Sequence, residues 1–180
     1  MTGTERHRRE ERIEQIAARD PLTALYNRRA LFMRAPELLE LASPASPGAL
    51  LLIDIDNFKQ VNDLHGHGAG DKLLVALSEI IRSALPLDAL AARLGGDEFV
   101  ILLRVASSES ILMLANGLRE AFGQMAQEAF ATPKAVTLSI GGTLFERPPA
   151  GLTALLELGD TALYESKRGG RDSVRVVQAA

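Results

Sequence analysis

No cysteine and no tryptophan occur anywhere in the 180 residues. Without cysteine there are no disulfides, no thiolate metal ligands and no cysteine nucleophile, a composition compatible with a reducing cytoplasm. Neither sign of charge dominates. The 20 Lys and Arg face 23 Asp and Glu for a net charge of −3, so the overall basic footprint of a nucleic-acid binder is missing. Apolar runs stop far short of the roughly 18 residues that a membrane span needs. The first twelve residues are polar and charged, unlike a secretory signal. The expectation is a cytoplasmic protein with no membrane segment and no DNA or RNA partner. What the chain does have is apolar content, 47%, enough to bury a real core. Its length suits one domain with a small appendage.

Residues 1–19 carry five Arg and four Glu with a thin apolar stripe of Ile13, Ile16 and Ala17. They read as a leader helix, either solvated or the end of a signalling helix that pairs with its own copy. Asp20-Pro21 reads as a helix N-cap and first helical position. Asn27–Leu41 is helical, with Pro36 interrupting or restarting it. Leu50–Ile55 is a strand apolar on both faces, hence central. Phe58–Leu64 is a short helix, HGHGAG a glycine-rich turn, and Lys72–Leu85 an amphipathic helix. Leu90–Ala92 and Glu98–Leu103 form a hairpin across LGGD. Glu109–Met125 is a helix, and Ala135–Ile140 is a strand ending before Gly141-Gly142. Leu152–Lys167 is a helix, and Ser173–Val177 a last strand. The pattern is a single α/β (α+β) domain with a central mixed, mostly antiparallel sheet covered by helices.

Chemistry gathers where strands end. Asp54 and Asp56 close the run LLIDID, spaced so that both side chains point the same way on an extended chain. Like charges so placed repel unless a cation neutralises them, and Mg²⁺ takes carboxylate, carbonyl and water oxygens, with the Ile55 carbonyl lying between the two acids. Capped strand ends are the plain alternative. Gly95-Gly96-Asp97-Glu98 is the partner cluster, where two glycines permit positive φ and close approach of a bulky ligand, or simply an ordinary hairpin turn ending in solvated acids. Lys167, Arg168, Arg171 and Arg175 offer phosphate binding, or simply match a helix dipole. Asn62 and Asp71 bracket the glycine turn. A carboxylate there accepts both hydrogens of a guanine edge, which adenine cannot supply. His65 and His67 suggest zinc, but only His7 remains elsewhere and no Cys exists, so a structural zinc is rejected.

These motifs together resemble the GGDEF domain of bacterial diguanylate cyclases. Gly95-Gly96-Asp97-Glu98-Phe99 follows Arg93. DIDNFKQVND and GHGAGD span Asp54–Asp71. DPLTALYNRR opens the region at Asp20, and TLSIGG and ALYESKRGGRD close it. The resemblance covers about residues 20–178, so residues 20–180 are read as the catalytic domain and 1–19 as the end of a signalling linker. It implies a fold like nucleotidyl cyclase and polymerase palm domains, and the joining of two GTP into cyclic di-GMP with release of two pyrophosphates across a homodimer. It implies that Asp54, the Ile55 carbonyl and Asp97 hold two Mg²⁺ or Mn²⁺ ions. Asp97, Glu98 and Lys59 make up the catalytic set, and the proton acceptor stays open between Asp97 and a metal-bound water. Phe58 and Lys59 lie at the phosphates, with Gly95 and Gly96 close to the substrate. Asn62 and Asp71 read guanine, Lys167 and Arg171 grip the terminal phosphates, and Leu31, Phe32 and Leu38 line or support the base pocket. An upstream sensor or receiver domain is implied as partner. Two departures stand out. The inhibitory Arg-x-x-Asp product site has Leu85 where Arg is needed and a displaced Asp88, and Asp172 replaces the usual Asn. A degenerate, binding-only domain is the alternative, but it should carry a broken signature, and this one is whole.

Overall fold

Eight consecutive buried residues, GALLLIDI, form β2 (Gly48–Ile55), on which both halves of the core are built. The computed structural model describes residues 17–105, 107–130 and 134–179. Around β2 lie β1 (Tyr26–Asn27), β3 (Leu90–Gly95), β4 (Glu98–Arg104), β5 (Leu138–Phe145) and β6 (Ser173–Gln178). Their spatial order is β1-β3-β4-β2-β5-β6. β2 runs antiparallel to β4 and β5, and β3 antiparallel to β4. The outer pairs β1–β3 and β5–β6 are parallel. This is the mixed, mostly antiparallel sheet expected from the sequence. Its faces are covered by α1 (Arg28–Glu40), α2 (Phe58–His65), α3 (His67–Ala84), α4 (Ser108–Ala129) and α5 (Leu152–Arg168). The leader expected over residues 1–19 lies outside the described residues up to position 16.

The alternation of β2 divides the core. Ala49, Leu51, Ile53 and Ile55 join Leu73, Leu77 and Ile81 of α3 and Ile111, Leu118 and Phe122 of α4. Leu50 and Leu52 face the other way, against Leu31 and Leu38 of α1 and Leu155 and Leu163 of α5. A strand with period two that is apolar at every position needs a helical layer on each side. Asp54 continues the Leu50–Leu52 series, so the strand delivers its acid to the α5 side.

Several boundaries differ from the sequence reading. Asp20 does not start a helix. Its Oδ1 accepts from the N–H and the hydroxyl of Thr23, both at 2.8 Å, closing one turn, and Ala24 at φ 59° leaves helical space. The helix starts at Arg28, capped by Asn27, whose side chain accepts from the Ala30 N–H at 2.9 Å. Pro36 neither interrupts nor restarts α1. It sits exposed inside one continuous helix. The glycine-rich turn shrinks to Gly66, at φ 81°, because α3 already begins at His67. Gly141 and Gly142 do not follow a strand but lie within β5. A Cβ on Gly141 would run into the Gly159 carbonyl oxygen and the Leu163 amide of α5, so the glycine lets that helix lie directly on the strand.

Candidate active site

The site forms where β2 ends beside the β3–β4 hairpin. The ladder sets Asp54 opposite Glu98 on β4 and opposite Ser139 on β5. Alternation places Glu98 on the same sheet face as Asp54. Gly95 and Gly96, at φ 144° and 52°, make the tight turn that carries Asp97. Arg93 fixes this turn. Its Nε and Nη2 donate to the Gly96 carbonyl at 3.0 and 2.8 Å, and its Nη1 reaches both oxygens of Asp20 at 3.3 Å. Burial works against ionisation of Asp20, but the Thr23 donors and Arg93 together hold its carboxyl below the usual range.

Asp54 is buried, and burial with the neighbouring charge of Asp97 pushes its carboxyl up to about 6. Burial raises Asp97 as well. Lys167, near the end of α5, reaches across to Asp54 at 3.1 Å. The Lys167 ammonium and the Arg93 guanidinium act on Asp97 without overcoming its burial, so the two acids still resist ionisation and the site is short of positive charge.

Asp56 behaves differently from the pair expected on spacing. Its backbone has already left the strand, and its N–H donates to the Thr137 carbonyl at 2.8 Å. Its carboxylate accepts from the hydroxyls of Thr137 and Ser139, both at 2.7 Å, and from the Asp172 N–H at 3.1 Å. The side chain is only 2% exposed. It ties β5 and the turn before β6 to the end of β2, while its charge still acts on Asp54 and Asp97. The hydroxyls of Thr137 and Ser139, two apart at the start of an apolar-rich strand, were the available signal.

Three residues beyond β2, α2 and α3 meet in a corner. Gly70 approaches so closely that a Cβ there would overlap the Asn62 carboxamide and touch the Phe58 ring at 3.1 Å. Half-buried Phe58 and Asn62 and exposed Asp71 are thus brought to one corner, while Lys59 is exposed on the first turn of α2. Leu31 and Leu38 are core residues facing the sheet, whereas Phe32 is 37% exposed. Arg171 is exposed at φ 66° in the turn after α5. His65 lies against Phe130, ring centres 5.9 Å apart.

Asp88 is engaged by Arg104 at 3.0 Å, and this contact holds its carboxyl below the usual range. With Leu85 three residues before it, no guanidinium stands in the Arg position of a product site. Cyclic di-GMP added to a turnover assay should therefore leave the initial rate unchanged. Tight product occupancy around Leu85–Asp88 would overturn this.

Among the described residues no three Asp, Glu or His side chains converge as a complete metal cage. Asp54 and Asp97 with the Ile55 carbonyl are a smaller donor set. It suits Mg²⁺, which is held by one or two carboxylates with the substrate's phosphates and water. The raised carboxyl of Asp54 fits such an ion, because a cation relieves the cost of its buried charge.

The chain matches the family described as "Diguanylate cyclase, GGDEF domain" over residues 17–173. It is 35% identical over 165 residues to the probable diguanylate cyclase DgcT of Escherichia coli (strain K12), covering 91% of this chain and 36% of that protein. It is 42% identical over 165 residues to the diguanylate cyclase DgcP of Pseudomonas aeruginosa, covering 90% of this chain and 24% of that protein. The chain therefore spans about a quarter to a third of the length of these curated relatives. Among solved structures, it resembles the coiled coil and GGDEF domain of DgcB from Caulobacter crescentus in complex with c-di-GMP. The TM-score is 0.84 at 27% identity, covering 97% of this chain and 93% of that one.

Proposed function

The chain belongs to the GGDEF family of diguanylate cyclases, and on that premise we propose that it condenses two GTP molecules into cyclic di-GMP, releasing two pyrophosphates. The observation that carries this reading is the meeting of Asp54 and Asp97 at one sheet end with Lys167 3.1 Å from Asp54. The intact Gly95–Phe99 signature favours turnover over binding alone. Residues 20–180 form the catalytic domain in this reading, and the leader joins it to a sensor or receiver module. The shares of the relatives' lengths support that extension.

The chemistry is in-line displacement. The 3′-hydroxyl of one GTP attacks the α-phosphorus of the other. A new P–O bond forms, the α–β bridging bond breaks, and pyrophosphate leaves. Repeating this in the opposite sense closes the ring. Divalent cations, Mg²⁺ or Mn²⁺ held by Asp54, Asp97 and the Ile55 carbonyl, would neutralise phosphate charge and lower the pKa of the attacking hydroxyl. Glu98 stands beside them. Lys59 and the Phe58 backbone hold the phosphates from α2, Lys167 and Arg171 from α5 and its following turn. The positive-φ glycines 95 and 96 let the triphosphate come against bare backbone. Asn62 and Asp71 select guanine, with Asp71 accepting from the ring N–H and the amino group. Each domain holds one GTP, so two must face each other, and the working form is a homodimer in the cytoplasm.

Incubation with GTP and Mg²⁺ at several protein concentrations tests this. Chromatography should identify cyclic di-GMP, and the rate should rise faster than linearly with protein while dimer assembly limits turnover. Asp97→Ala should abolish product. Full activity in that variant would refute the assigned role.

A further inference from the structure

We propose that Arg119 and Asp172 form a latch that positions the Lys167–Arg171 segment over the triphosphate, with Asp172 a positioning residue rather than a contact to substrate. The proposal rests on the GTP reading above. After α5 the chain makes a turn in which Gly170, Arg171 and Asp172 have φ of 118°, 66° and 44°. Two consecutive non-glycine residues in left-handed space persist only where the surroundings hold them.

Three contacts do so. The Arg171 N–H donates to the Ser166 carbonyl at 3.2 Å. The Asp172 N–H donates to Asp56 at 3.1 Å, which ties the turn to the end of β2. The Asp172 carboxylate accepts from Arg119 Nη1 at 2.7 Å. Only this last contact comes from a different layer, since Arg119 lies on α4. The Arg119 side chain is 21% exposed and is oriented from its own helix, where Nε donates to Asn116 at 3.4 Å and Nη2 pairs with Glu120 at 3.3 Å. A preset guanidinium loses little freedom in making the pair. The carboxylate that departs from the family pattern is therefore paired with a guanidinium from α4, and α4 fixes where the basic turn stands.

The test uses direct nucleotide binding to the 180-residue chain in Mg²⁺, with thermal midpoints as a folding control. Asp172→Asn keeps a side chain that tolerates left-handed backbone and removes only the charge, while Arg119→Gln removes the other partner. Each should weaken GTP binding about three- to fivefold, the scale of a half-exposed ion pair. The double variant should be no worse than either single one. Binding of guanosine 5′-monophosphate, which lacks the terminal phosphates, should not change, a selectivity that general loosening would not produce. In turnover the KM should rise while kcat holds, and Arg119→Lys should restore part of the affinity. Unchanged GTP binding in both single variants overturns the latch, as does recovery in the double variant, which would mean that Asp172 acts by bare charge. Equal losses for both nucleotides also overturn it. If the wild-type chain binds no GTP, the cyclase reading itself falls.

Discussion

Asp54→Asn should lose cyclase activity by more than about a hundredfold and yet melt higher than the wild type at pH 7.5 in chelator. The loss is set by chemistry, since even groups one layer beyond a metal's ligands cost up to about a hundredfold when removed. The gain follows from burial. The folded chain holds the Asp54 proton up to about pH 6, whereas the unfolded chain releases it near the ordinary value of 3.8. As pH rises through that window the folded state loses ground, and above it the full cost of a buried charge is present. Asparagine carries no such cost. Lys167 loses its partner in the exchange, but the Asp54 carboxyl stands raised even with that ammonium 3.1 Å away, so the pair offsets only part of the burial cost. The midpoint should rise by about 2–4 °C for each kcal/mol relieved, and the difference should vanish below pH 3.8, where both states are protonated. Mg²⁺ should raise the wild-type midpoint and leave that of Asp54→Asn nearly unmoved. Mg²⁺ affinity of the wild type should fall as pH drops below about 6, because the ion must then displace a proton. Calorimetric scans across pH, with and without Mg²⁺, check all of this. A variant that melts lower at pH 7.5 would contradict the electrostatic account.

Gly141→Ala should be the most damaging single methyl group that can be added to the sheet. The new Cβ meets two backbone atoms of α5, the Gly159 carbonyl and the Leu163 amide. Neither can swing aside as a side-chain end would. The helix must lift from β5, and the Leu155 and Leu163 contacts with Leu50 and Leu52 open with it. A cost of at least about 4 kcal/mol is expected, beyond ordinary overpacking, with a midpoint lower by roughly 10 °C. Gly142→Ala is the control. There the close contacts are side-chain methyls of Val176 and Leu51, at 2.9 and 3.0 Å, while the nearest backbone atom, the Arg175 carbonyl oxygen, lies at an ordinary 3.6 Å, so about 1–2 kcal/mol should suffice. Urea unfolding of both variants gives the comparison, and equal losses would contradict it. Lys167 lies one helical turn beyond Leu163, so lifting α5 should also draw the ammonium away from Asp54 and weaken nucleotide binding in whatever fraction stays folded.

The same two positions mark where the sequence was readable and where it was not. The double-sided apolar run of β2 announced a central strand, and the acid at its end announced a site, because strand alternation and burial are local properties. The Gly95-Gly96 turn was equally legible. Gly141-Gly142 looked like punctuation after a strand, since nothing local reports that a helix lies against that strand. Asp20 carried the signature of a helix cap and makes only a turn, its partners being Thr23 nearby and Arg93 far away in the chain. The divergence of Asp54 and Asp56 depends on the bend after Ile55 and on donors from Thr137, Ser139 and Asp172, some 80 to 116 residues onward. Arg119 gave no sign at all, being one more polar residue on an amphipathic helix.

The sheet's two margins have opposite characters. One is closed by the two-residue β1, too brief to template another strand. The other is β6, SVRVVQ, paired on one side only among the described residues. Its open flank would invite intermolecular strand addition and fibrous aggregation, but Arg175 stands exposed in its middle, and a charge there is a familiar gatekeeper. Arg175→Val should therefore leave the chain folded while lowering the concentration at which the protein stays clear, as light scattering against concentration would show.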